Sequence, residues 1–102
     1  MTEKLIIHVD QELEELMPLF METRQRDMEG LAKGLACKDF AALRVIGHGM
    51  KGSGGAFGFQ LITDIGAIIE ASALKNDAAT IEQQFALLRD YLARVDVQYV
   101  SA

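Results

Sequence analysis

Cysteine occurs once, at Cys37, so an internal disulfide is impossible and one chain cannot assemble a thiolate metal cluster. With no second thiol and no histidine near it in sequence, Cys37 is expected to be a small buried residue rather than a nucleophile. Basic residues are also in short supply. Ten Lys and Arg against fifteen Asp and Glu leave a net charge of −5, and that field repels nucleic-acid backbones and anionic lipid. No apolar run approaches the roughly 20 residues that span a bilayer. The opening MTEKLIIHVD lacks the cationic start, long apolar stretch and small-residue cleavage site of a signal peptide. Together these absences point to the cytoplasm, with neither membrane nor nucleic acid as a partner. There is no nucleotide-binding glycine loop of the Walker or kinase type and no acidic cluster with clear metal spacing, so no cofactor is expected. The two histidines, His8 and His48, stand far apart without a Glu-x-x-His pair, which makes a metal-dependent enzyme in a helical core a poor reading.

What is present is a folded composition: 102 residues, half apolar and a quarter charged, interleaved without repeats or low-complexity stretches. One domain over residues 1–102 is expected, burying about 60 to 70% of its unfolded surface. Leu13, Met17, Phe20, Met28, Leu31 and Leu35 follow one another at helical steps, with Arg24 as the only polar interruption. Asp10 is the expected cap of that stretch. Pro18 lacks the amide proton that would bond Glu14, so either a kink or a short helix followed by a long one is expected there. Asp39 should cap a second helix ending near the glycines Gly54, Gly55 and Gly58. A third runs from about Phe59 to Leu74 on Leu61, Ile62, Ile65, Ile68 and Ile69. Asn76 and Asp77 separate it from a fourth, about Ala78 to Tyr99, with Ile81, Phe85, Leu88, Leu92 and Val95 on its seam. Short connections make neighbours antiparallel. The fold class is therefore all-α, an antiparallel up-and-down four-helix bundle, with no strand expected and with Gln98 to Ala102 fraying.

The second helix has a face that core packing does not explain. At about 100° per residue, Leu43, Ile46, Met50 and Phe57 cluster on one side while His48 points to the other. Beside His48 lie Lys51 and Gly52, with Gly55 a turn further and Arg44 and Val45 a turn before. Ser53 falls nearer the packed side. Five glycines, Gly47, Gly49, Gly52, Gly54 and Gly55, each cost a helix interior about 0.5–1 kcal/mol against Ala, so something other than helix stability selects them. An open histidine edge among cations suits attack on phosphorus, provided one ring nitrogen is held as a donor and the other presents its lone pair. Glu70, on the following antiparallel helix, is the carboxylate placed to hold it, and Gly66 and Ala67 would let the two helices approach. His8 has no comparable setting and is read as structural or incidental.

The stretch His48 to Phe59, HGMKGSGGAFGF, resembles the phosphorylation motif of histidine-containing phosphotransfer (HPt) domains. The segments VDQELEELMPLFMETRQRDMEGL, IIEASALKND and YLARV resemble other parts of that family, so the likeness covers nearly the whole chain. The resemblance implies that His48 accepts the phosphoryl group, that Lys51 balances its charge, that Gly52 keeps the site accessible, and that Glu70 stands where the family places a polar partner. Ser53 and Gly58 match the motif as well, whereas Gly47 and Gly49 are less usual than a bulkier pair. It further implies a carrier, not an enzyme. Receiver domains of response regulators and a sensor or hybrid histidine kinase would be its partners, Mg²⁺ would reside on the receiver, and the chain would act as a monomer. Ala41, Val45 and Gly52 would form a docking patch rimmed by Arg44 and Lys51. A competing reading keeps the same docking face but never phosphorylates His48.

Overall fold

A computed structural model of the chain describes residues 3–101. Four helices, α1 (Met17–Cys37), α2 (Phe40–Ser53), α3 (Gln60–Leu74) and α4 (Ala78–Arg94), form the antiparallel up-and-down bundle. Two strands, β1 (Leu5–Asp10) and β2 (Val95–Val100), bring the chain's two ends together in parallel register, from Leu5 opposite Val95 to Asp10 opposite Val100.

The caps account for the boundaries. Asp10 accepts from the Glu12 amide at 2.9 Å and opens a 3-10 turn, Gln11–Leu16, which hands over to α1 with Pro18 in the first helical turn. There its missing N–H costs nothing and its fixed φ favours the helix. Of the two readings of Pro18, the short helix followed by a long one is the one formed. Asp39 accepts from Ala42 N at 3.1 Å and Asp77 from Thr80 N at 3.1 Å, so both act as N-caps. Lys38 and Asn76 take left-handed conformations at the two tight helix connections. After α2 a 3-10 turn, Gly55–Phe57, ends at Gly58 with φ 88°. A Cβ at Gly58 would also lie 3.0 Å from the His8 carbonyl oxygen, so this corner requires glycine on two counts.

The core is built from Phe20, Leu31, Leu43, Met50, Phe59, Ile62, Ile65, Ile69, Ile81 and Leu88, all buried, with Phe20 stacked on Phe57 and Phe59 at ring separations of 4.5 and 5.0 Å. Leu61 and Ile68 are exposed, so the apolar face of α3 is narrower than its sequence suggests.

Three expectations fail. The strands contradict the absence of sheet: Val9 is buried, and Leu5, Ile7, Val95 and Val97 pack against the core, while Ile6 and His8 face outward. VDVQYV alternates apolar and polar residues from Val95 to Gln98, and its parallel pairing with LIIHVD satisfies backbone groups of both segments. Accordingly α4 stops at Arg94, where Val95 turns extended, and Gln98 to Val100 are held in β2 instead of fraying; Ala102 lies outside the described residues. Finally, Cys37 is exposed, because it occupies the last residue of α1, beyond the reach of the core. Among the described residues no helix is long and apolar enough to cross a membrane.

Candidate functional site

The site is assembled by the closest helix pair in the fold. A Cβ on Gly47 would lie 2.7 Å from Glu70 N and 2.8 Å from Gly66 O, and one on Gly66 would lie 2.5 Å from Lys51 N and 2.6 Å from Gly47 O. All four distances are shorter than real Cβ atoms tolerate, so only glycine at both positions permits the approach. Ala67, offered with Gly66 as a small residue at this contact, is only half-buried. The approach sets Glu70, on α3, directly across from the middle of α2.

Glu70 then serves two residues at once. One carboxylate oxygen, Oε2, lies 2.7 Å from His48 Nδ1, and the other, Oε1, accepts from Lys51 Nζ at 2.8 Å. The hydrogen bond from Lys51, and next that from His48, hold the Glu70 carboxyl below its ordinary pKa. An ionised carboxylate can only accept, so His48 Nδ1 carries a proton, and in the neutral ring it is Nε2 that holds the lone pair. The His48 side chain is 70% exposed against 19% for Glu70. The ring is thus presented to solvent while its carboxylate partner sits in the groove between the helices.

The α1 side of α2 is fixed by a different device. Arg24, the lone polar residue in the apolar stripe, is buried. Its Nη1 donates to Ser53 Oγ at 2.8 Å, and Ser53 Oγ donates to the carbonyl of Gly49 at 3.0 Å. Its Nε pairs with Asp27 at 2.9 Å, and its guanidinium lies over the Phe20 ring at 4.7 Å. Burial pushes the Asp27 carboxyl above its ordinary value despite the Arg24 charge. Ser53, which the sequence put nearer the packed side of α2, is half-buried and ties α2 to α1. The interruption at Arg24 was the sequence signal for this contact, although its partners were not legible.

The remaining candidates fall around His48. Arg44 and Val45 line a cavity of about 280 Å³ together with His48 and Glu70. Ala41, Gly52 and Gly55 are exposed on the same helix and its continuation, and a Cβ at Gly49 or Gly52 would meet nothing within 4 Å. An apolar groove that sequence reasoning missed lies between α1 and the end of α2, lined by Leu16, Leu19, Phe20, Thr23, Arg24, Ser53 and Phe57. Its signal was the Leu16 and Leu19 pair, which falls off the buried stripe of α1. His8 lies on β1, with its carbonyl oxygen against the Gly58 corner. Among the described residues no group of three or more His, Cys, Asp or Glu side chains is placed to hold a metal ion.

A helical bundle presenting an outward histidine, anchored by a carboxylate and flanked by lysine and glycine, defines a class of histidine-bearing carrier modules. The family model of the Hpt domain matches residues 15–98, and the chain belongs to that family, the helical phosphotransfer modules of two-component systems, which carry phosphoryl groups rather than catalyse turnover. The family acts with receiver domains and histidine kinases in phosphorelays. No curated protein and no solved structure gives a significant match.

Proposed function

We propose that this chain is a single-domain phosphotransfer protein that accepts a phosphoryl group on His48 from a receiver-domain aspartate or a kinase and passes it to a response regulator. The observation that carries this is the hydrogen bond between His48 Nδ1 and Glu70 at 2.7 Å, which leaves Nε2 free on the exposed side of α2. The Nε2 lone pair forms the N–P bond as the P–O bond to the donor carboxylate breaks, and the electron pair leaves with that carboxylate. Nδ1 keeps its proton, and Glu70 faces the positive charge that the ring acquires. Phosphoryl transfer depends on in-line positioning and charge stabilisation. The receiver is the source of Mg²⁺ and most of the catalytic groups, and this chain takes no cofactor of its own. Docking uses Ala41, Val45, Gly52 and Gly55, with Arg44 and Lys51 as a basic rim that complements a receiver's acidic pocket. The protein works in the cytoplasm as a monomer.

The test is incubation with a phosphorylated receiver domain and Mg²⁺, scoring acid-labile, base-stable phosphate on wild type and on His48→Gln. Label on wild type alone is the expected result. Tight receiver binding without label on the wild type would overturn the proposal in favour of a docking module that is never phosphorylated.

A further inference from the structure

Lys51 is the residue that the motif puts forward to balance the phosphoryl charge, yet in the resting protein its ammonium is already committed, 2.8 Å from Glu70 Oε1. The pair sums to zero charge beside the imidazole. An ammonium paired with Glu70 offers a group on Nε2 a charge already shared with that carboxylate. Arg44 is in the opposite condition. It sits one turn before His48 on the same face of α2, and among the described residues it forms no ion pair and no side-chain hydrogen bond.

Resting on the His48 reading, we propose that Arg44 is the cation that binds the phosphoryl group on His48. The cavity of about 280 Å³ beside the ring is walled by Arg44, Val45, His48 and Glu70, and Lys51 is not among its walls. A pocket of that volume leaves space beside the ring for a phosphoryl group. Arg44 supplies the uncompensated charge, and its planar fork matches two of those oxygens, a geometry that an ammonium lacks. Val45, exposed in the same wall, limits solvation on one side. Glu70 keeps both of its hydrogen bonds, so the ring remains oriented while phosphorylated. Lys51 becomes a positioning residue for Glu70, and Arg44 the binding residue for the phosphoryl group.

The experiment charges the full chain with phosphoramidate and follows the ³¹P resonance of phosphohistidine across pH in wild type, Arg44→Gln, Arg44→Lys and Lys51→Gln. A cation in contact favours the dianion. Arg44→Gln should therefore raise the phosphoryl titration midpoint by roughly half a pH unit, the size of a solvent-exposed ion pair. Arg44→Lys should return part of that shift, and Lys51→Gln should move the midpoint less than Arg44→Gln does. Wild type that charges normally while Arg44→Gln titrates with it, or a larger shift in Lys51→Gln, overturns the role of Arg44 and leaves the carrier reading standing. Wild type that takes no phosphoryl group at His48 overturns both.

Discussion

The two faces of α2 use the same residue for opposite ends. Toward α3, glycine removes a side chain so that backbone can meet backbone: Gly47 and Gly66 admit each other at distances no Cβ would survive. Toward solvent, Gly49 and Gly52 have nothing within 4 Å of where a Cβ would stand, and on the proposed function the space they leave is access to His48. A glycine-rich helix is expensive by propensity. Here one share of the cost sets the distance from His48 to Glu70, and the other leaves the exposed face of α2 beside the ring without side chains. The lesson is that glycine count alone does not reveal which role is served, whereas the neighbouring backbone does.

The sharpest way to break this comparison is a matched pair of alanines. Gly66→Ala should lower unfolding free energy in urea by more than about 2 kcal/mol, because the obstructing atoms are backbone on the facing helix and cannot rotate away. Gly49→Ala should instead raise it by about 0.5–1 kcal/mol. Equal effects would mean that the two faces are not distinct.

Access is tested by filling it. Gly52→Leu should fold as wild type does by circular dichroism yet accept phosphate from a receiver about a hundredfold more slowly, since displacement of a docked partner by even an ångström is costly. Charging by phosphoramidate, which docks no protein, should suffer much less. Glu70→Gln acts on the buried side of the same ring and should slow charging by either donor roughly tenfold, the scale of losing the carboxylate partner of a working histidine.

The smallest effect is a titration. The folded pKa of Glu70 is depressed by the hydrogen bonds from Lys51 and His48, so the stabilisation it provides is fully present above the ordinary value of 4.5 and is lost as pH falls through the lower, folded value. The side-chain carboxyl ¹³C resonance should show its midpoint below 4.5, and Lys51→Met should move it upward. An unchanged midpoint in that variant would detach Lys51 from the network.

Helix periodicity, the three aspartate caps and the outward placing of His48 were legible in the sequence because each is a local signal, readable within one or two turns. Glu70 was legible through one further step, the antiparallel return of α3. The strands were not, since LIIHVD and VDVQYV pair across nearly the whole chain, and Val95 fits the step of three from Leu92 well enough to pass as helix. Cys37 was placed by the average habit of its residue type, which carries no information about a helix end. The Arg24, Asp27 and Ser53 cluster joins three positions on two helices, so only its interruption of the stripe showed in sequence. The double commitment of Glu70 depends on which carboxylate oxygen each partner takes, a detail fixed by the helix approach at Gly47 and Gly66.

The central claim is that the exposed nitrogen of His48 carries the phosphoryl group while the inner one stays protonated against Glu70. The most direct measurement is a long-range ¹H–¹⁵N spectrum of the imidazole in phosphorylated, ¹⁵N-labelled protein. The account predicts phosphorus bonded to Nε2 with a proton retained on Nδ1; phosphorus on Nδ1, or on any residue other than His48, would contradict it.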